Sequence, residues 1–158
     1  MLVYHPAFDN YHCIVRVLKL LNNMPNDKYS IDRIKMYDYL LLFPNDLRKL
    51  TLPTAWNNFK NIKAQNRFNE VQNSMDIYNR ISGFQNIALN ALATFGVIDQ
   101  ALFNKDFIKL TKTPVDISLS LTDVEVKLFD FINRYLNNLS LKELKERTKL
   151  MNHKHELS

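Results

Sequence analysis

The side chains best suited to chemistry stand together near the start of the sequence. His5, Asp9 and His12 are metal-ligand types in the spacing H-x3-D-x2-H, and Cys13 follows directly. A catalytic zinc site needs three fixed ligands, an open position and a hydrogen-bond partner for each histidine. Such a site would make the chain a small metal-dependent hydrolase. A cysteine beside a histidine would instead suggest a nucleophile and its base.

Three features weigh against a reaction centre in this cluster. No glutamate is near in sequence to act as a general base, and Pro6 separates His5 from the helix that follows. Neighbouring positions of a helix point about 100° apart, so His12 and Cys13 do not face each other. We therefore favour hydrogen-bonded packing at a helix entrance, with Cys13 buried and inert, and keep the hydrolase as the third alternative.

Nucleotide and cofactor chemistry is not expected from this sequence. Glycine occurs only at positions 83 and 96, whereas loops that cradle phosphate need several glycines for close backbone approach. Acidic pairs such as Asp123 with Glu125 fall where helix caps are predicted. We expect no catalytic residue, no cofactor and no bound metal.

Composition predicts a globular protein with one core. Of 158 residues 46% are apolar, and no apolar run approaches the roughly 18 residues that cross a bilayer. With no secretion signal recognised, we expect a cytoplasmic protein without a membrane partner. The net charge of +5 suits an acidic partner or nucleic acid.

Helices are predicted over most of the first hundred residues. Asp9 or Asn10 caps the first helix, which stops near Asn22, and Ser30 caps a second that ends at Phe43 because Pro44 follows. A third is predicted over about 66–81, closed by Ser82 and Gly83. A fourth ends at a left-handed cap on Gly96, and its apolar stripe consists of Phe84, Ile87, Ala88, Ala91, Leu92 and Phe95.

A small hairpin and two more helices are predicted after Gly96. The runs 97–99 and 107–111 flank the polar turn 104–106, which indicates a β-hairpin or wing, and 115–121 suits a strand or an extended connector. Two further helices have capping boxes, Thr122 with Glu125 and Ser140 with Glu143.

This order predicts a mainly α fold with a small β-hairpin. We assign residues 1–121 to a helical, winged-helix-like domain with an insertion at about 45–83. We assign 122–158 to C-terminal helices packed on it, with a frayed tail.

Basic residues mark two segments that suit DNA or an acidic partner. Lys60, Lys63 and Arg67 lie among Trp56 and Phe59, and the hairpin has Lys105, Lys109 and Lys112. Lysine contacts to phosphate supply affinity without sequence preference. The predicted fourth helix has no Lys or Arg. Sequence-specific reading is therefore poorly supported, and we favour protein docking over direct DNA contact.

Three stretches resemble the middle-component proteins of bacterial ABC-three-component systems, which include Lamassu-type anti-phage defences. They are Tyr4-His5-Pro6 with Phe8-Asp9 and Tyr11-His12, then Ile31-Asp32-Arg33 with 39–44 (YLLLFP), and then Ala91-Leu92-Ala93 through Gly96-Val97-Ile98. The resemblance covers about the first hundred residues. It implies a non-catalytic subunit that bridges an ATPase similar to SMC and Rad50 proteins and an effector such as a nuclease, with DNA reached through the complex.

On that resemblance the aromatic residues of the motifs are either interface anchors or core packing. The residues concerned are Tyr4, His5, Tyr11, His12, Tyr37 and Tyr39. Two alternatives stay open beside the accessory subunit: a free-standing winged-helix DNA-binding regulator and the metal-dependent hydrolase.

Overall fold

The computed structural model describes residues 9–50, 52, 54, 74–112 and 120–151. Within these ranges the chain is mainly helical with a small antiparallel sheet, which confirms the predicted fold class. The α-helices are α1 (Asn10–Asn22), α2 (Ile31–Leu42), α3 (Ser74–Thr94), α4 (Gln100–Phe103), α5 (Asp123–Arg134) and α6 (Leu141–Thr148). The strands are β1 (Tyr29–Ser30) and β2 (Phe107–Ile108), and 3-10 helices cover Pro44–Lys49 and Leu136–Asn138.

The predicted caps of the first two helices are confirmed. The Asp9 carboxylate accepts from the His12 N–H at 3.1 Å, and the Ser30 hydroxyl accepts from the Arg33 N–H at 3.2 Å. Each bond satisfies one amide that has no partner inside its helix. The last residue of helix α2 is Leu42 and its C-cap is Phe43, the residue before proline, so the predicted end is confirmed to within one residue.

The predicted break at Ser82 and Gly83 is wrong. Helix α3 is continuous from Ser74 to Thr94 and passes through Gly83 without interruption. Helix propensity is a weak influence that tertiary packing overrides, and one mid-helix glycine costs only about 1 kcal/mol. The buried residues Ile81 and Ala88, which lie on either side of Gly83, offset that cost.

The apolar stripe predicted for this helix is also partly wrong. Ala88 and Leu92 are buried as expected, but Ile87 is 55% exposed and Phe95 is 83% exposed. The buried face runs instead through Tyr78, Ile81, Gln85, Ala88, Leu89 and Leu92. The polar side chain of Gln85 lies inside because it binds Asp38, so the face is rotated relative to the apolar pattern.

Gly96 forms the predicted left-handed cap of α3, with φ of 73°. The Val97 N–H donates to the Leu92 carbonyl at 2.9 Å and the Gly96 N–H donates to the Ala93 carbonyl at 3.0 Å. These two bonds define a Schellman motif, in which glycine avoids the steric cost of positive φ.

The sheet joins two parts of the chain that are distant in sequence. Tyr29 pairs with Ile108 and Ser30 with Phe107, and an isolated bridge links Ile98 to Leu110. The predicted hairpin is present only as the bridge between Ile98 and Leu110, because the strand Phe107–Ile108 pairs with Tyr29–Ser30 instead of with 97–99. The turn between the two bridged segments contains α4, whose N-cap is Asp99. The winged-helix assignment remains a prediction.

The C-terminal helices begin at the two predicted capping boxes, at Thr122 and Ser140. They contact the N-terminal helices through polar bonds. Lys19 pairs with Glu125 at 3.0 Å, and the Asn133 amide donates to the Asn23 carbonyl at 2.7 Å. Buried residues of α1, α2, α3, α5 and α6 belong to one hydrophobic cluster.

Several predictions fall on residues outside the described ranges. They include the helical turn near 56–63, the first part of the predicted helix at 66–81, the extended segment over most of 115–121 and the frayed tail. The division at residue 121 and the insertion at 45–83 stay predictions. None of the helices in the described ranges is long and apolar enough to cross a bilayer.

Candidate functional site

The first turn of α1 presents two side chains of the N-terminal motif to solvent. Tyr11 is 70% exposed, and its ring meets the His12 ring edge-on with centroids 5.7 Å apart. The His12 Nδ1 lies 3.3 Å from Asp9 Oδ1, and its side chain is 46% exposed. An aromatic ring and an imidazole held on a helix surface suit recognition of another protein.

The cluster proposed as a metal site is only partly within the described residues. Asp9 and His12 are close together, but His5 and Tyr4 lie outside the described ranges. In the part of the chain that the structure describes, no group of three His, Cys, Asp or Glu side chains is arranged to hold a metal ion. The structure therefore describes two of the three proposed ligands, Asp9 and His12.

Cys13 points away from His12 and into the core. Its Sγ lies 3.7 Å from Asp38 Oδ2, and burial raises the pKa of the thiol, as does the nearby Asp38 carboxylate. A thiol that stays protonated is a poor nucleophile. The arrangement suits the predicted inert, buried cysteine, and the exposed His12 does not form a pair with it.

Asp38 is the centre of a buried polar network that the sequence analysis missed. Its carboxylate accepts from Arg16 Nε at 2.6 Å, from Arg16 Nη2 at 3.3 Å and from Gln85 Nε2 at 2.9 Å. Gln85 Nε2 also approaches the Lys35 carbonyl at 3.0 Å. These bonds connect α1, α2 and α3, so they stabilise the packing of α1, the helix that carries Tyr11. No local pattern reveals them, because the partners are 22 and 47 residues apart.

The motif residues Tyr37 and Tyr39 are both fully buried. The Tyr37 hydroxyl donates to Asn137 Oδ1 at 2.7 Å and accepts from Arg33 Nη1 at 2.9 Å. The Tyr39 hydroxyl donates to the Asp46 carboxylate. Of the two roles left open for these tyrosines, core packing is the one their position allows, since a buried ring is not accessible to a partner.

The basic residues are only partly covered by the structure. Lys105 and Lys112 are exposed, and Lys109 is half-buried beside them on the hairpin. Lys60, Lys63 and Arg67 lie outside the described residues. Lys28, which the sequence analysis did not single out, joins the hairpin lysines because its Nζ lies 4.7 Å from the centre of the Phe107 ring. The pairing of β1 with β2 brings it there.

Comparison with known families tests the middle-component resemblance. The family model described as ABC-three component (ABC-3C) system Middle Component 5 matches residues 2–156. The chain belongs to this family. The match confirms the middle-component resemblance and extends it from the first hundred residues to nearly the whole sequence. No curated protein and no solved structure matches the chain.

Membership of Middle Component 5 makes the chain one component of a multi-protein system. Its buried polar side chains and its exposed side chains can then be considered separately. In the described part of this Middle Component 5 protein, the side chains of Cys13, Asp38 and Asp46 form hydrogen bonds with other residues of the same chain. Its exposed side chains include the aromatic Tyr11 and Phe95, the apolar Ile87 and the basic Lys105 and Lys112. Such side chains can contact other molecules.

Proposed function

We propose that the chain is a non-catalytic accessory subunit of a bacterial anti-phage defence complex. In this complex it bridges an SMC/Rad50-like ATPase and an effector such as a nuclease, as in Lamassu-type systems. The observation that carries the proposal is the match of a middle-component family model to residues 2–156. The ATPase and the effector come from the same operon.

The use of the buried polar groups supports a non-catalytic role. Asp38 accepts from Arg16 and Gln85, while Asp46 accepts from Tyr39 and Ser74. Groups arranged for general acid–base catalysis need access to a reacting molecule, at hydrogen-bond distance or through one water. As whole residues, Asp38 and Asp46 are instead 0% and 5% exposed, and their hydrogen bonds connect parts of the fold.

We place the partner surface on the exposed aromatic and apolar side chains of α1, of α3 and of Phe95, which directly follows α3. Tyr11 and His12 supply ring surface with polar edges, and Ile87 and Phe95 supply apolar area. Aromatic residues that become buried on binding contribute much of the affinity of protein interfaces. Tyr4 and His5 of the same motif are assigned the same role from the sequence.

DNA contact through the complex is the proposed role of the basic hairpin. Lys105 and Lys112 are exposed, so their charges are available to phosphate. Lys109 and the sequence-predicted Lys60, Lys63 and Arg67 are assigned the same role. A free-standing regulator must prefer one DNA sequence, so its binding could not depend on phosphate contacts by these residues alone. A mobility-shift series against salt distinguishes the two, because non-specific phosphate binding fades as salt rises.

Co-expression with the products of neighbouring genes tests the accessory role. The tagged chain is expected to retain the ATPase and the effector through affinity purification and gel filtration. Phe95→Ser is expected to weaken this retention while the fold persists, and Val126→Ser serves as control at a 53% exposed apolar position on α5. The proposal fails if the wild-type chain elutes alone while the other components assemble.

A further inference from the structure

A pocket of about 400 Å³ opens where β1 meets the first turn of α2 and the start of α6. Its wall includes Lys28, Arg33, Phe107 and Leu141. This volume lies within the range of roughly 300–1,000 Å³ that small ligands and peptide side chains occupy. None of the surfaces assigned above includes it, although Lys28 and Phe107 connect it to the hairpin.

Arg33 brings a positive charge to this pocket that forms no ion pair with any carboxylate of the described residues. Its guanidinium donates to the Tyr37 hydroxyl at 2.9 Å and to the carbonyls of Leu136 at 2.9 Å and Leu139 at 2.6 Å. All three acceptors are neutral. A guanidinium has about five N–H donors, and three of those of Arg33 have acceptors among the described residues, so two remain.

Lys28 adds a second cation to the pocket, and it forms no ion pair among the described residues. Its Nζ lies 4.7 Å from the centre of the Phe107 ring, a distance at which the ring face attracts the ammonium group. The pocket also contains Asp27, whose carboxylate accepts from the Lys28 N–H at 2.8 Å. Two cations and one carboxylate leave the pocket with a net positive charge.

We propose that this pocket binds an acidic side chain of an extended peptide segment supplied by a partner protein. A carboxylate matches the planar donors of Arg33 and is attracted by the Lys28 ammonium. Phe107 and Leu141 offer apolar area to the neighbouring side chain of the same segment. Nucleic acid fits less well, because successive phosphates need several cations and meet the charge of Asp27.

The identity of the partner rests on the proposed function, in which another component of the complex supplies the segment. Peptide binding itself does not depend on the proposed function, because it is measured on the isolated full chain. Failed assembly with intact peptide binding would overturn the proposed function alone. Lost peptide binding with intact assembly would overturn the pocket alone.

The test measures binding of a fluorescein-labelled octapeptide of alternating glutamate and leucine by fluorescence anisotropy. The same peptide with glutamine in place of glutamate is the ligand control. Lys28→Glu is expected to weaken acidic-peptide binding by about tenfold or more, because it replaces an attraction with a repulsion. Lys127→Glu, an equal charge change at an exposed position of α5, is expected to change it less than about twofold.

Amide chemical shifts locate the binding independently of the variants. The acidic peptide is expected to shift the resonances of Ser30, Arg33 and Leu141, and the glutamine peptide is not. Equal binding of the two peptides, or equal loss in the two lysine variants, would overturn the proposal. It would also be overturned if a 12-base-pair duplex bound more tightly than the peptide and lost that binding in Lys28→Glu.

Discussion

At the level of single residues, Asp38 shows how a charge is accommodated inside this fold. Its side chain is 1% exposed and that of Arg16 is 11% exposed, with 2.6 Å between Nε and Oδ1. A buried charge is costly unless it is paired and hydrogen-bonded. Gln85 donates a further bond from α3, so one carboxylate anchors three helices.

Asp38→Ala is expected to destabilise the chain by about 3–5 kcal/mol, because it leaves the Arg16 charge without its carboxylate inside the core. The matched control is Asp130→Ala. It removes a 3.2 Å pair with Arg134 in which the side chains are 46% and 65% exposed. That change is expected to cost about 0.5 kcal/mol or less. Urea unfolding measures both, and similar losses in the two variants would contradict the assigned role.

The buried tyrosines predict how stability changes at alkaline pH. Burial raises the pKa of Tyr37 to about 12, and it also raises the pKa of Tyr39 and of Tyr78. An unfolded tyrosine ionises near pH 10, so above that pH the unfolded state loses protons that the folded state retains. The stabilising contribution of Tyr37 is complete below pH 10 and is lost as pH rises towards 12.

Urea unfolding between pH 8 and pH 11.5 measures this effect. Above pH 10 the free energy of unfolding is expected to fall with pH by about 1.4 kcal/mol per pH unit for each such tyrosine. Tyr37→Phe is expected to be less stable at pH 8, because Asn137 loses a hydrogen bond, but to have a shallower slope above pH 10. An unchanged slope in this variant would show that Tyr37 does not contribute.

At the level of elements, the two glycines differ in what their positions require. Gly83 lies inside α3, and an added Cβ there meets nothing within 4 Å. Gly96 has φ of 73° at the end of the same helix, a conformation that costs other residues about 1–2 kcal/mol. The same substitution is therefore expected to have opposite effects at the two sites.

Gly83→Ala is expected to stabilise the chain by about 0.5–1 kcal/mol, because alanine restricts the unfolded chain and favours the helix. Gly96→Ala is expected to destabilise it by about 1 kcal/mol, because it introduces a Cβ at positive φ. Chemical denaturation measures both. A loss of stability in Gly83→Ala would contradict a continuous helix at that position.

The elements also show which parts of the structure could be predicted from sequence. The caps at Ser30 and Thr122 were predictable, because each side chain bonds an amide three residues away. The inner face of α3 was not, since Gln85 is buried by a bond to a residue 47 positions earlier. The pocket beside Arg33 depends on contacts more than 100 residues apart, which no local pattern contains.

At the level of the whole molecule, the C-terminal helices share the core with the N-terminal ones. Leu128, Phe131 and Ile132 of α5 are buried in the same cluster as Leu20 and Ile34. Arg33 and Tyr37 add bonds to residues 136–139. We propose that residues 122–151 belong to the same cooperative unit as the N-terminal helices.

A chain truncated after Leu121 is therefore expected to fail to fold, because it removes buried apolar surface from the centre of the core. The full chain is expected to unfold in one transition, seen equally by far-ultraviolet circular dichroism and by intrinsic fluorescence. A truncated chain that is monomeric, helical and cooperatively unfolding would contradict this proposal and would favour an independent domain over 1–121.

The central claim is that the chain bridges the ATPase and the effector, and an omission experiment tests it most directly. A tag on the ATPase is used to purify the complex from cells that express all three components, and from cells that lack only this chain. The account predicts that the effector co-purifies with the ATPase when the chain is present and is lost when it is absent. Equal recovery of the effector in both preparations would contradict it.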